Sequence, residues 1–543
     1  MGRLAAAKTQ RDDKLTDDDS ITVLLDTFRD QRTAYGFQAN ALGTQEDFRV
    51  ADNGRTVDRR WDAAWLSAAQ RHEDRWVVEM AIPFAILKFD AESDGIWGIN
   101  FVRTIPRRLE FSLWSEPSEA IYRVSSFGEL LDVQAPSPED TWQFIPYTLA
   151  SYEKGDSAEI EAGGDIRWRP SSRLGVDLTF NPDFALVEAD VETINLSRFE
   201  LRITEKRPFF LEGNEMYKQR IEQFYSRRIG DITWGAKTNG KLGQTDFSAI
   251  VTSTDIERES GLETDRGNYA VLRMQQGLWN GSNIGLLAAS RDYLGDNAGS
   301  AGFDSTLFFT DTLGMTAQLL SVHGPTSNDG LAWFVRPSWD TARSHFHIRY
   351  TNLDENIRKD FNAVGFLRDD DRKEWDTNFR HEFWFQSGAL EQIEPSVNYN
   401  RFTSQKGVLR SWNLDARVDF TFRNGWDIEI SRAEEFKLFE KEFRNDSTKL
   451  ELEWDARDGR KVRAFVREGI NFDSNFWLYG AGLDWLIGDK WRFSYDFTWL
   501  ELDPDPDLES TTIHVFEAIY AFNTDMYAKL FLQTNSAISK ENV

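Results

Sequence analysis

Residues 412–422 read WNLDARVDFTF, and apolar and polar side chains alternate at every position of this stretch. The same alternation recurs in residues 450–456, LELEWDA, and in residues 491–499, WRFSYDFTW. Successive side chains of a strand point to opposite faces, so each stretch predicts a strand with one apolar and one polar face. The apolar faces are rich in aromatic residues, as they are when one side of a strand meets lipid and the other meets water.

Segments of this kind recur from residue 141 onward, and we count about 20 of them, each of roughly 10 to 14 residues, the range that lets a tilted strand cross a membrane. A soluble propeller is the alternative, but its strands average about five to six residues. A propeller also repeats a blade signature, and we find no such repeat. The sequence therefore predicts an all-β chain with a large antiparallel transmembrane-type β-barrel over residues 141–543, with further strands expected beyond residue 543.

The composition excludes several classes of function. A formal net charge of -27 argues against nucleic acid as a partner, because phosphate binding needs a basic surface. The chain has no cysteine, which excludes disulfides, thiolate metal sites and cysteine nucleophiles. Its 20 tryptophans and 40 phenylalanines suit either sugar-stacking surfaces or the aromatic girdles of a membrane barrel.

Residues 1–133 have a different sequence pattern, which predicts short strands at close spacing and no amphipathic helix. Strand patterns lie at residues 21–26, 35–40, 76–83, 97–103 and 110–114. This arrangement predicts an N-terminal β-sandwich. Residues 134–140, QAPSPED, carry two prolines and predict the linker between the two domains.

Residues 181–230 interrupt the barrel strands with Asn-Pro and Arg-Pro steps, many charges and a poor strand period. Such a segment lies either outside as a loop or inside the lumen as a plug, and a wide barrel is open unless its lumen is filled. A plug is either a gate with a substrate site or a constriction that only seals and braces the barrel. The predicted plug residues are Asn181, Pro182, Asp183, Glu205, Lys206, Arg207, Pro208, Phe209, Phe210, Glu212, Tyr225, Arg227 and Arg228.

Three blocks of this segment, NPDF at 181–184, EKRPFFLEG at 205–213 and FYSRRIG at 224–230, resemble a large bacterial family, DUF5916. In that family a domain similar to carbohydrate-binding module family 9 precedes an outer-membrane β-barrel. The blocks DDSITVLLDTFRD, WDAAW, WVVEMAIPFAIL and WGINFVR are similar to the back two-thirds of the module. Compared with the family, the chain lacks a secretory signal, the first strands of the module and the last strands of the barrel. We therefore expect it to be a fragment.

The resemblance implies a sugar site in the N-terminal domain, where such modules hold a terminal sugar between two tryptophans. Sugar sites combine aromatic planes with groups that hydrogen-bond hydroxyls. Trp76 and Trp97 lie in the middle of strands and are predicted to be core, which is also the alternative for every other tryptophan. The predicted carbohydrate-binding residues are Trp61, Trp65, Trp114, Arg103, Asn100 and Glu110.

Modules of this kind also carry calcium, which prefers several oxygen ligands. The candidate ligands are Asp17, Asp18, Asp19, Asp26 and Asp30, and a solvated acidic turn is the alternative. No other cofactor is predicted. His345 and His347 lie two residues apart on a strand, but no third ligand is placed for a metal.

The sequence carries no GxSxG, P-loop or HExxH motif. With 90 acidic residues, a carboxylate pair for glycoside hydrolysis cannot be assigned. We predict an outer-membrane β-barrel that couples glycan binding to the passage of a substrate, with its N-terminal domain in the periplasm. The predicted partners are outer-membrane lipid, a glycan and a periplasmic protein. The alternatives are a glycan hydrolase and an envelope docking protein that binds no sugar.

Overall fold

The computed structural model describes eleven stretches of the chain, and it is almost entirely β-structure. The described residues are 4–115, 120–136, 140–151, 159–182, 199–257, 264–327, 329–457, 459–488, 490–504, 510–523 and 526–536. The predicted plug residue Asp183 and residues 137–139 of the predicted linker lie outside these ranges. Two helices of four residues each are described, α1 Pro208–Leu211 and α2 Arg358–Phe361.

The N-terminal region has nine short strands, β1 to β9. They are β1 Ser20–Asp26, β2 Ala34–Asn40, β3 Gln45–Ala51, β4 Thr56–Asp58, β5 Leu66–Arg71, β6 Trp76–Ala81, β7 Trp97–Ile105, β8 Glu110–Leu113 and β9 Gly128–Leu130. Seven of them form one sheet in the order β4-β3-β2-β1-β7-β8, with β9 also paired to β7, and β5 pairs with β6 separately. The five predicted strand patterns are confirmed.

Both faces of the seven-stranded sheet are packed. On one face Phe37 and Trp97 join a cluster that includes Val78 and Met80 of the β5–β6 pair. On the other face Phe48 and Val102 pack with residues of the loop before β9, such as Val124. The β5–β6 pair is therefore a partial second layer, and the similarity to a carbohydrate-binding sandwich stays a prediction.

The rest of the described chain forms one 22-stranded antiparallel sheet, called the large sheet below. Its strands are β10 Thr141–Ser151, β11 Glu159–Ser171, β12 Leu174–Phe180, β13 Ile232–Leu242, β14 Thr245–Glu257, β15 Thr264–Gly277, β16 Asn283–Tyr293, β17 Asp296–Phe308, β18 Leu313–His323, β19 Gly330–Asp340, β20 Ser344–Leu353, β21 Arg372–His381, β22 Phe383–Trp384, β23 Leu390–Thr403, β24 Leu409–Phe422, β25 Trp426–Leu438, β26 Glu442–Asp455, β27 Arg460–Asn471, β28 Ser474–Ile487, β29 Trp491–Asp503, β30 Thr511–Ala521 and β31 Tyr527–Asn535.

Each strand of the large sheet pairs with the next along the chain, except that β21 pairs with β23. Because β22 also pairs with β23, β21 and β22 are two parts of one interrupted strand. The quoted alternating stretches fall within β24, β29 and β26 and its first following residue, which confirms those strands. The predicted count of about 20 strands is close to the 22 described, or 21 when β21 and β22 are counted as one.

The two faces of the large sheet differ in polarity, as the alternation requires. Leu450 and Leu452 of β26 are each 40% exposed on one face, and aromatic side chains such as Trp375 and Phe303 are exposed on the same outer side. The opposite face is called the inner face below. It carries polar and small residues, including Thr252 and Ser300, which are buried.

Contacts with the N-terminal region show that the large sheet is curled. Phe89 N donates to Ser172 O at 3.1 Å in the β11–β12 turn, and Arg492 at the start of β29 donates to the Asp13 carboxylate at 2.8 Å. Intervening contacts at the same end of the sheet, called the near end below, are Arg32–Gln244, Asn53–Asn280, Arg123–Asp311, Arg55–Asp340 and Arg107–Arg457. One small region can touch turns from β11 to β29 only if those turns surround it.

The first and last strands of the large sheet are β10 and β31. Across the described ranges no hydrogen-bonded pairing joins them, so closure into a barrel stays a prediction. Within the same ranges, no helix is long and apolar enough to span a membrane.

Candidate functional site

The interior of the curled sheet is occupied on one side by residues 199–230, called the insert below. β12 ends and β13 begins at the end of the sheet opposite the near end, called the far end below, and the insert lies between them in the sequence. Proline is favoured at the first position of a helix, and α1 begins at Pro208. This short helix places Phe209 and Phe210 in a buried cluster with Val271 and Leu287 of the inner face.

Small residues on the inner face make room for the insert. A Cβ atom on Gly235 of β13 would lie 3.0 Å from the Phe209 ring, closer than such contacts normally come. A larger residue at this position would therefore displace α1 from the wall.

Buried polar side chains hold the middle of the insert to the wall. Gln223 donates to Leu287 O at 3.3 Å and to Ser300 Oγ at 3.1 Å. Gln318 of β18 receives a hydrogen bond from Ile221 N at 3.0 Å and returns one to Ile221 O at 2.8 Å. Removing one partner of a buried hydrogen bond leaves the other unsatisfied, at a cost of about 1–3 kcal/mol.

Arg207 closes the insert on itself. Its guanidinium donates to Ser226 O at 2.6 Å and to Ile229 O at 2.7 Å, and it pairs with Glu205 at 2.7 Å. Burial raises the pKa of Glu205, but the hydrogen bonds and charge of Arg207 outweigh burial and hold that pKa below its usual value. Arg207 thus ties the start of α1 to the end of the insert, and Glu205 balances its charge.

The other predicted plug residues make mostly local contacts. Tyr225 packs on Phe366, Arg227 donates to Thr204 O at 2.8 Å, and Arg228 pairs with Glu200 at 2.8 Å. The remaining described members are placed as follows: Asn181 N donates to Thr233 O, Pro182 follows it, and Lys206 N donates to Glu205. Their charges are paired chiefly within the insert.

Glu212 is the exception, because it joins three parts of the molecule. Its carboxylate lies 3.2 Å from Lys88 of the N-terminal region and 2.9 Å from Arg169 of β11. Burial raises the pKa of Glu212, but Lys88 and Arg169 more than offset this and lower it well below the usual value. Nearby, Lys237 of β13 donates to Phe209 O at 2.6 Å and to Glu212 O at 3.1 Å.

A second far-end loop, residues 354–371 with α2, braces the insert. Tyr225 N donates to Val364 O and Phe366 N donates to Glu222 O, both at 2.9 Å. Sequence reasoning missed this loop, although it lies between two long strands, as the insert does.

The structure separates the predicted sugar-binding residues. Trp65 is 3% exposed and packs edge-on against Phe37, and Asn100 is fully buried and accepts from Phe101 N and Ser115 N. Trp114 is 61% exposed and lies against Phe101. Arg103 is exposed on β7 and Glu110 is partly exposed on β8. The structure places Trp61 alone among the six in the lining of the cavity described next, and sugar binding by any of them stays a prediction.

Trp61 lines a cavity of about 810 Å³ between the N-terminal region, the insert and the large sheet, called the interface cavity below. Its aromatic lining comes from Phe28, Tyr35, Trp61, Phe84, Phe89 and Trp142. Glu215 Oε2 and Asn239 Nδ2 also belong to its lining residues and are buried without a hydrogen-bond partner among the described residues. Aromatic planes with unpaired polar atoms suit a sugar-sized ligand.

The candidate calcium ligands do not fit a metal site. Asp18 accepts from Ala7 N and Lys8 N, and Asp19 pairs with Arg107. The other candidates behave similarly or lie apart: Asp26 accepts from Gln31 N, Asp30 pairs with Lys241, and Asp17 ends a short 3-10 helix. Calcium needs several free carboxylate or carbonyl oxygens close together, and four of these five carboxylates are already engaged by donors.

A separate carboxylate cluster, Asp12, Asp47 and Asp62, brings three oxygens within 4.8 Å of one another. Arg11 lies among them, 3.0 Å from Asp47 and 2.9 Å from Asp62, and supplies the positive charge that a metal would bring. Burial, together with the charge of Asp12, raises the pKa of Asp47 to about 8.

Residues 141–256 match the family "Domain of unknown function (DUF5916)". The match covers β10 to β14 and the insert, which is where the resembling blocks lie, and it supports the family over that part of the chain. The similarity of the N-terminal region to a carbohydrate-binding module stays a prediction. A search of curated proteins finds no match.

Several solved structures have some likeness to this chain. OpdQ of Pseudomonas aeruginosa is 9% identical with a TM-score of 0.33, covering 72% of this chain and 96% of its own. The P pilus usher (PapC) translocation pore is 10% identical with a TM-score of 0.30, covering 95% of this chain and 96% of its own. OccK7 (OpdD) of Pseudomonas aeruginosa is 9% identical with a TM-score of 0.30, covering 55% and 94%. At these TM-scores the likeness adds nothing to the strand pairing described above.

Proposed function

We propose that the protein is an outer-membrane β-barrel that passes a substrate, with the insert as its plug and the N-terminal region as its cap. The observation that carries the proposal is the three-way contact of Glu212 with Lys88 and Arg169. Through it, a segment that fills the interior is fixed both to the wall and to the region that covers the near end.

The outer face of the large sheet supports a place in the membrane. Large apolar side chains are exposed there along successive strands, including Leu319, Ile348, Trp375 and Leu450. An apolar face of this extent is costly in water and matches a lipid-facing barrel wall.

The turn lengths support a periplasmic cap. The near end has short turns such as Gly243–Gln244 between β13 and β14, whereas the far end carries the insert and the loop 354–371. Bacterial outer-membrane barrels have short periplasmic turns and longer external loops. The cap, which lies on the short turns, is therefore on the periplasmic side.

The interface cavity is the site at which a glycan would act on the plug. Trp61 belongs to the cap, Trp142 to the wall, and Glu215 and Met216 to the insert. A sugar that stacks on the tryptophans and bonds Glu215 would change the contacts between cap and plug. This arrangement couples sugar binding to passage.

The test uses the chain produced with an export signal. We expect an outer-membrane protein whose gel migration changes on boiling and whose conductance in a planar bilayer is small. Lys88→Ala together with Glu212→Gln should raise the conductance, because the link between cap and plug is lost. Arg108→Ala, which removes an exposed pair with Glu110 at 3.7 Å, is the matched control.

A periplasmic protein with no migration change would refute the barrel. Equal conductance of the two variants would refute the role of Glu212. Release of reducing ends from a polysaccharide would favour the glycan hydrolase instead, and a crosslinked protein partner without glycan binding would favour docking.

A further inference from the structure

A second cavity, of about 400 Å³, lies between the cap, the insert and the inner face of β15 to β20. It is called the cationic cavity below, because six basic side chains line it against two acidic ones. The basic residues are Arg55, Lys218, Arg220, Arg273, Arg336 and Arg349, and the acidic residues are Asp52 and Asp304. This excess of positive charge is notable in a chain whose formal net charge is -27.

Three of the arginines are paired with carboxylates of the wall. Arg55 lies 3.5 Å from Asp340. Arg273 pairs with Asp304. Arg349 lies 2.7 Å from Glu374 and 2.9 Å from Asp376. These carboxylates balance the charges of the paired arginines, so no ligand is needed to neutralise them.

Three basic side chains are left without a carboxylate. Arg220 of the insert has no hydrogen bond or ion pair to any described residue, and its side chain is exposed to the cavity. Arg336 of β19 contacts ring nitrogens of His345 at 3.3 Å and His347 at 3.1 Å. Among the described residues, the Lys218 ammonium donates to the carbonyl oxygen of Val57 at 3.2 Å.

The surroundings destabilise the charged forms of these side chains. Burial, together with the positive charge of Arg349, lowers the pKa of Arg220, and burial lowers the pKa of Lys218. Like charges that line one cavity repel one another. An anion placed among them would remove that repulsion.

We propose that the cationic cavity binds an oxyanion group, a carboxylate, phosphate or sulfate carried by a small molecule or by a sugar. Guanidinium groups recognise such oxyanions through paired hydrogen bonds. Arg220 and Arg336 make the main contacts, and Lys218 adds a third charge. The volume lies at the lower end of small-molecule sites, the size of a single charged sugar.

The position of the site gives it a consequence for passage, which rests on the proposed function. Arg55 belongs to the cap, Arg220 to the insert and Arg336 to the wall. An anion that bridges them stabilises the arrangement in which the insert fills the interior, because a ligand stabilises the state that binds it.

The experiment measures binding separately from passage. The purified, folded full chain is titrated with inorganic phosphate, with glucuronate and with glucose at constant ionic strength, by calorimetry. Phosphate and glucuronate should bind and glucose should not. Arg220→Gln and Arg336→Gln should each weaken binding by about tenfold or more, the loss expected for one charge-assisted hydrogen bond.

Arg417→Gln is the matched control, because Arg417 also faces the interior but is paired with Asp419 at 2.6 Å. It should leave the affinity unchanged. Tighter binding of glucuronate than of phosphate assigns the site to acidic sugars, and equal binding assigns it to free oxyanions.

The proposal is overturned if neither anion binds, if glucose binds as well as glucuronate, or if Arg220→Gln and Arg336→Gln bind like the unmodified chain. All three results are read on protein whose migration changes on boiling. The failure of this site is therefore distinct from failure of the barrel.

Discussion

The two sides of the large sheet have the same strand arrangement, but their inner faces carry different side chains. On the covered side, β13 to β20, the inner face buries apolar residues such as Val271, Leu287 and Leu320. On the open side, β23 to β29, the inner face carries partly exposed charges such as Glu429 and Lys449. The strand lengths and antiparallel pairing are alike on the two sides. The inner residues therefore show where another segment packs.

The comparison predicts that a new, unpaired charge on the inner face is tolerated on the open side only. Leu287→Asp should destabilise the protein by at least about 3 kcal/mol or prevent folding, because Leu287 is fully buried beneath the insert. Thr498→Asp, on the inner face of β29, should cost less than about 1 kcal/mol. Urea unfolding followed by gel migration measures both. Similar losses for the two variants would show that the open side is also covered.

Two inner-face lysines test the same contrast with a smaller effect. Lys237→Met should cost about 1–3 kcal/mol, because Lys237 is 2% exposed and its loss leaves Phe209 O and Glu212 O without their donor. Lys449→Met should cost less than about 1 kcal/mol, because its pairs with Glu429 and Glu451 are partly solvated. The same unfolding measurement applies. A Lys449 loss as large as that of Lys237 would contradict the contrast.

Acid should loosen the covered side first. The pKa values of Glu205 and Glu212 are lowered in the folded protein, so their stabilisation is complete above the ordinary glutamate pKa. It is lost as the pH falls below that value towards their folded pKa values. Conductance should therefore rise on acidification below about pH 4.5.

Glu212→Gln should start from a higher conductance and respond less to acid. An acid response of the same size in this variant would assign the effect to other groups.

Much of the fold could be predicted from the sequence, because the alternation of apolar and polar residues is visible within each strand by itself. The alternation in residues 412–422 requires no knowledge of any partner, and it placed β24 correctly. The site could not be predicted in this way. Lys241 pairs with Asp30 across 211 positions, and Lys88 meets Glu212 across 124. Such contacts depend on how the cap sits on the sheet, which no local pattern encodes.

The sugar-binding candidates show the same limit. Trp65 and Trp61 are four residues apart in one motif, yet Trp65 is 3% exposed in the core while Trp61 reaches the interface cavity. Trp142, the tryptophan that the structure adds to that cavity, belongs to β10 and so lies outside the N-terminal domain for which the sugar site is predicted. The cationic cavity was missed because Arg55, Arg220 and Arg336 come from three distant parts of the chain.

The contact between Asp13 and Arg492 joins residues 479 positions apart. It can form only after the strands between them have paired in order, because a missing or extra strand would move the β29 turn away from the cap. This contact therefore forms only when the number and order of the strands between the two residues are correct. We expect Arg492→Ala to slow the final step of assembly more than it lowers the stability of the assembled protein, since loop closure over this length is costly and a single partly exposed ion pair contributes little.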